Sequence, residues 1–121
     1  METHLLQNNR LHYAEVYASD IFELKNLFLQ KFNVQKISEN FGIPFLLAKK
    51  KNTAVAFASL ILNSENETDF VVHSDQDFNH EERKQFIVTV KEFFGRNNSE
   101  NFRNPLQLKS NIERMINWLN D

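Results

Sequence analysis

Two histidines flank an acidic stretch near the middle of the chain, and they are the side chains most able to move protons near neutral pH: His73 and His80. Such a pair can serve as general base and general acid. No partner stands at a fixed spacing from either, and His73 closes an expected strand while His80 opens an expected helix, positions that more commonly carry surface or capping roles. Between and after them, Asp75, Asp77, Glu81 and Glu82 could gather a hard cation such as Mg2+. Carboxylates in the first turn of a helix are also favoured by its dipole without any metal, and the stretch lacks the turn glycine of an EF-hand, so no metal is expected. Lys49, Lys50 and Lys51 could touch phosphate or an acidic partner, although lysines at a hairpin tip also guard a sheet edge. Ser59 and Thr89 have no nucleophile-elbow setting. With zero cysteines, thiolate catalysis, disulfides and Cys-ligated metals are excluded.

These residues must be positioned by one ordinary domain, since 121 residues leave no room for a second independent core. The net charge of −2 argues against a dedicated nucleic-acid binder. No stretch approaches the roughly 18 apolar residues of a membrane span. Met1–Arg10 is polar and lacks a signal-peptide core, so a cytoplasmic location is expected. Two glycines stand against twelve phenylalanines. Glycine lets a backbone wrap closely around phosphate, so a Gly-rich nucleotide loop is not expected.

Periodicity supplies the elements. Leu11–Ala18 reads as a short strand. Asp20 and Glu23 suggest a capping box opening a helix whose inward face is Ile21, Leu24, Leu27, Phe28 and Phe32, with Phe22 and Leu29 as a second stripe that a neighbouring helix or subunit would cover. The period then changes to two. Ile43, Phe45 and Leu47 alternate with Pro44, Leu46 and Ala48; after a turn at Lys49–Asn52, Val55, Phe57, Ser59 and Ile61 alternate with Ala54, Ala56, Ala58 and Leu60. A third strand, Glu67–His73, completes an antiparallel meander with Phe70 and Val72 inward. Asn79 and Glu82 form a capping box for a helix with Phe86, Ile87, Val90, Phe93 and Phe94 on one face and Gly95 as its C-terminal cap. Residues 96–104 read as an exposed linker, and 105–120 as a last helix capped by Asn104, with Leu108, Ile112, Met115, Ile116 and Leu119 as its buried stripe. Trp118 and Leu106 lie off that stripe. The expected fold is α+β, an antiparallel sheet of three or four strands with about four helices.

This order resembles the N-terminal half of the GNAT family of N-acetyltransferases over residues 11–94. Leu46–Leu60 looks like the family's central hairpin, with Ala56 at a position usually held by Gly; Phe70–Asp75 is similar to the strand preceding its pyrophosphate loop, and Tyr17–Asp20 to its entry into the first helix. The resemblance implies that Val72, His73, Gln76 and Asn79 would hold acetyl-CoA. In the family, a Gln or Arg and two small residues wrap backbone N–H groups around pyrophosphate at a helix N-terminus. Here that register falls on Gln76, Asn79 and Glu81. Gln76 fits, Asn79 can adopt left-handed angles less easily than Gly, and Glu81 puts a carboxylate where a small residue belongs. Asp75, Asp77 and Glu82 add further negative charge, only partly offset by His80, Arg83 and Lys84.

The family's further strand, which admits the pantetheine arm, has no counterpart after Gly95. The sequence therefore leads to a truncated, degenerate GNAT-like domain without cofactor or catalysis, a binding or assembly module joined to a homodimer mate or another protein. Two alternatives stay open: an acyl-CoA-dependent N-acetyltransferase completed by a partner, and a small regulatory or immunity-type protein that neutralises a partner through the acidic loop.

Overall fold

Four strands pair in the order in which the chain makes them, β1 (Leu11–Glu15), β2 (Ile43–Lys50), β3 (Thr53–Leu62) and β4 (Thr68–Ser74), all antiparallel. The computed structural model describes residues 11–121; the polar stretch Met1–Arg10, read above for a missing signal sequence, lies outside the described residues. A 3-10 turn at Ala18–Asp20 leads into α1 (Ile21–Phe32), and β4 is followed by α2 (His80–Arg96), α3 (Glu100–Arg103) and α4 (Pro105–Leu119). This is an α+β fold built on a four-stranded antiparallel sheet. Among the described residues no helix is long and apolar enough to cross a membrane.

The sheet is covered on both faces. α1 packs Leu24, Leu27 and Phe28 with Phe41, Leu47, Phe57 and Leu119 on one side. Phe78 of the loop before α2, Phe86 and Val90 of α2, Phe102 of α3, and Leu108 and Ile112 of α4 pack with Leu46, Ala56, Ala58 and Val72 on the other. Two bulges set which strand residues belong where. The β2–β3 register slips between Pro44 and Leu46 and between Ala48 and Lys49, leaving Phe45 and Val55 as extra residues. Strict alternation therefore fails at both places. Phe45 joins the α2 side with Leu46, and Val55 joins it with Ala56, while Ala54 goes to the α1 side with Phe57.

The capping signals fare unevenly. Asn79 and Glu82 form the expected reciprocal box, with Glu82 N–H donating to Asn79 Oδ1 at 2.8 Å and Asn79 N–H to Glu82 Oε1 at 3.0 Å. Asn104 accepts from Leu106 and Gln107 as expected. At α1 the reading is corrected: Asp20 accepts the N–H of Tyr17, and Glu23, three residues on, reaches across to β3 and accepts the N–H of Ala54 at 2.8 Å. The bulge at Val55 leaves that ladder donor to a side chain. Of the Phe22 and Leu29 stripe, Phe22 meets α4, whose Trp118 ring packs edge-on to it at 5.5 Å, and Leu29 packs partly buried against the α1-side core. Phe32, expected in the core, is 45% exposed.

The exposed linker at 96–104 is also corrected. α2 runs on to Arg96, and α3 places Phe102 at 7% exposure against Phe45, Phe93 and Phe94. Arg103 donates to the carbonyls of Phe94, Gly95 and Asn97, satisfying acceptors that the end of α2 would otherwise leave open. Gly95 is thus not the left-handed cap but a residue of the last helical turn, with nothing within 4 Å of an added Cβ. Gly95→Ala is expected to raise stability by about 0.5–1 kcal/mol, because alanine restricts the unfolded backbone and suits a helix. Urea denaturation checks this, and a loss of stability would contradict the helical placement.

Candidate functional site

The expected site residues lie around the outer edge of β4 and the loop leading to α2. Among the described residues β4 pairs with β3 on one side only. On its other edge the backbone is attended by side chains. Asp69 Oδ1 accepts the N–H of Phe70 at 2.8 Å, and Arg83, from the first turns of α2, donates to the Val72 carbonyl at 3.3 Å and to Ser74 Oγ at 3.1 Å. An incoming chain would have to displace these contacts.

The loop is tied in the same way. Asp75 N–H bonds to Val55 O, the acceptor on the bulged residue, and holds the loop against β3. Asp75 Oδ1 takes the N–H of Asp77 at 2.9 Å. Lys50, from the lysine run, donates to the Asp77 carbonyl at 2.7 Å and forms an ion pair with Glu82 at 2.9 Å. It clamps the β2–β3 hairpin to the loop and to α2. Partial burial works against the charge of Glu82, but the Asn79 N–H and the Lys50 ammonium outweigh it and hold its pKa below the ordinary value. Asn79 has φ −79° and ψ 173°, ordinary extended backbone, so it caps a helix and does not take the left-handed place of a glycine. Glu81 and His80 are exposed on the first turn.

His73 and His80 are not brought together as an acid–base pair. His73, expected at a strand end near the surface, is 3% exposed on the α1 side of the sheet. Its ring is enclosed by Phe28, Phe32 and Phe57 at centroid distances of 5.1–5.6 Å. Nε2 lies 2.9 Å from the Asn40 carbonyl, which can only accept, so Nε2 carries the proton. Burial pushes the His73 pKa down; the Asn40 bond opposes this, and the nearby Lys31 and Arg83 add to it. The native state thus resists a proton that the unfolded chain takes up near pH 6.5. Stability is expected to be full above about pH 6.5 and to fall below it, with a slope of up to about 1.4 kcal/mol per pH unit until the native histidine itself titrates. His73→Gln should flatten that arm of a urea-denaturation pH series. An identical slope in both proteins would show that another group is responsible.

Between α1 and the loop lies a cleft of about 690 Å³, lined by Glu23, Asn26, Leu27, Gln30 and Lys31 on one wall and by Thr53, Ala54 and residues 74–77 on the other. Gln76 contributes to it; Val72 and Asn79 do not. Lys31 belongs to this site and was not legible as a functional residue, because only the packing of α1 beside β4 gives it a role. Among the described residues no three His, Asp or Glu side chains converge as metal ligands. Ser59 is wholly buried in β3.

The arrangement is that of an α+β domain with one tethered sheet edge and a polar cleft beside it. No family model, curated protein or solved structure matches the chain.

Proposed function

We propose that this domain is a non-catalytic binding module of GNAT-like design that recognises a partner without transferring an acyl group. The observation that carries this reading is that groups the resemblance assigns to acetyl-CoA are engaged by the chain itself. Asn79 N–H is held by the Glu82 carboxylate and the Val72 carbonyl by Arg83, and in the same loop Asp77 N–H is held by Asp75. A pyrophosphate entering there would meet Glu82, Asp75 and Asp77, and like charges at contact distance cost on the order of 1 kcal/mol or more each. Calorimetric titration of the full chain with acetyl-CoA and with CoA tests it. No saturable heat is expected up to about 1 mM ligand, corresponding to binding weaker than about −4 kcal/mol. Micromolar binding would overturn the reading.

The edge position of β4 favours one rival, an acyl-CoA-dependent N-acetyltransferase whose missing strand is supplied by a second chain. Native mass measurement with and without acetyl-CoA separates the two, since the rival requires a CoA-bound assembly.

A further inference from the structure

The two edges of the sheet are finished differently. Along the outer edge of β4, Asp69 and Arg83 attend the backbone of Phe70 and Val72. β1 forms the opposite edge and has no such cover among the described residues. Its register with β2 runs without a bulge from Leu11 opposite Lys50 to Glu15 opposite Leu46, and no proline or lysine stands within Leu11–Glu15. Sheets commonly guard an open edge with those very devices, because its unpaired N–H and C=O groups are a template for another strand. Val16 N–H bonds to Phe45 O and continues the same register. The antiparallel alternation therefore turns the N–H and C=O groups of His12 and Ala14 toward β2 and those of Leu11, Tyr13 and Glu15 outward. The side chains are little covered as well, since Leu11 is half-buried and the other residues of β1 are exposed.

We propose that β1 is the surface on which a second copy of this chain docks, the two β1 strands pairing antiparallel about a two-fold axis at Tyr13 so that both sheets become one. The strand complements itself in that register. Tyr13 stands opposite Tyr13 of the second copy, and each Leu11 stands opposite the other copy's Glu15. All of these are outward residues, so the facing pairs exchange about six backbone hydrogen bonds. Leu11, Tyr13 and Glu15 share the α2 side, where Tyr13 packs on Phe86 at 5.3 Å and Leu11 borders the core. Two half-covered apolar side chains per copy thus gain cross-strand neighbours. On the other side His12 faces Ala14 of the second copy, which is small enough to leave it room.

Charge selects the orientation. Beside the N-terminal end of β1 the β2–β3 hairpin carries Lys49, Lys50 and Lys51, of which Lys50 is engaged by Glu82, and the C-terminal end of β1 carries Glu15. Antiparallel pairing brings each Glu15 to the other copy's lysine end. Parallel pairing would set lysine against lysine. Because β1 is short, the dimer is expected to be weak and concentration-dependent. The inference goes beyond the binding-module reading, since β1 lies at the sheet edge opposite the loop after β4, and acetyl-CoA titration judges that reading separately.

The test is sedimentation velocity of the full chain, without acetyl-CoA, from about 10 μM to about 1 mM, a range that brackets the affinity of a small interface. Dimer is expected to fill in across it. Glu15→Pro removes an outward N–H that the monomer does not use, together with the acidic end, and proline is tolerated on the open side of an edge strand. That variant should stay monomeric with its melting temperature little changed. Ala14→Pro removes an N–H that faces β2 and should lower the melting temperature more. A strict monomer throughout the range would overturn the proposal and leave the edge to a strand of another protein. A dimer equally strong in Glu15→Pro would also overturn it, placing the contact elsewhere, for instance at the exposed Trp118. If Glu15→Pro fails to fold, amide hydrogen exchange on the unaltered chain decides. The Tyr13 and Glu15 amides should slow about tenfold or more between dilute and concentrated samples. Equally fast exchange at both concentrations would overturn the proposal.

Discussion

Replacing Gly42 with alanine is expected to cost about 3–5 kcal/mol, one of the largest single effects in the molecule. Gly42 has φ +63° and is buried where the 33–42 loop enters β2. An L-residue held there is strained by about 1–2 kcal/mol. The larger contribution is steric, because an added Cβ would lie 2.2 Å from the backbone oxygen of Leu60 and 2.9 Å from the Ile61 side chain. Leu60 sits in the centre of the sheet, opposite Ile43 on one side and Phe70 on the other, so its carbonyl cannot retreat without disturbing two ladders. For a domain whose whole stability is about 5–15 kcal/mol, that is a large fraction. The melting temperature should fall by about 10 °C or more. Gly42→Asn separates the two causes, since asparagine tolerates positive φ yet carries the same Cβ. Asparagine is expected to do no better than alanine; substantial recovery would mean that backbone strain dominates. The consequence reaches the site, since Asn40 and Phe41 immediately precede this glycine and Asn40 holds His73.

The scarcity of glycine in the sequence thus has a local meaning that composition alone could not supply. One of the two is required by a close backbone approach, and the other stands in helix α2 with open space around it. Strand β3 was legible to its ends, because ten residues of apolar alternation bounded by polar turns leave no other assignment. The phase within it was not. A bulge at Val55 needs no glycine or proline to mark it, and its result depends on how β2 and β3 happen to register. Phe102 escaped because a helix of four residues is too short to display a period, and Arg103 stabilises it through carbonyls of a different helix. At the candidate site, Asn79 and Glu82 were legible because a capping box is a local device. The burial of His73 and the meeting of Lys31 with Arg83 were not, since each depends on segments far apart in sequence converging at one edge of the sheet.

Phe57→Ala should be the other severe substitution, and it tests the coupling between core and site. Phe57 is fully buried on β3, with its ring 5.6 Å from Phe41 and 5.1 Å from His73. Truncation removes its transfer free energy and leaves a cavity between α1 and the sheet, costing about 3–5 kcal/mol in urea denaturation. Phe57→Leu, which keeps most of the volume, should cost clearly less. The second readout is the His73 imidazole. Because burial is the principal cause of its lowered pKa, opening a cavity against one face of the ring should admit water and move that pKa upward toward its ordinary value. The acid-side loss of stability would then begin at the same pH but level off sooner, since the native and unfolded values lie closer together. An NMR titration of the His73 ring protons measures the shift directly. A large loss of stability with an unchanged His73 titration would mean that the remaining rings collapse into the space and keep the site dry, and the phenylalanines around it would then act as an adaptable apolar shell instead of a fixed wall.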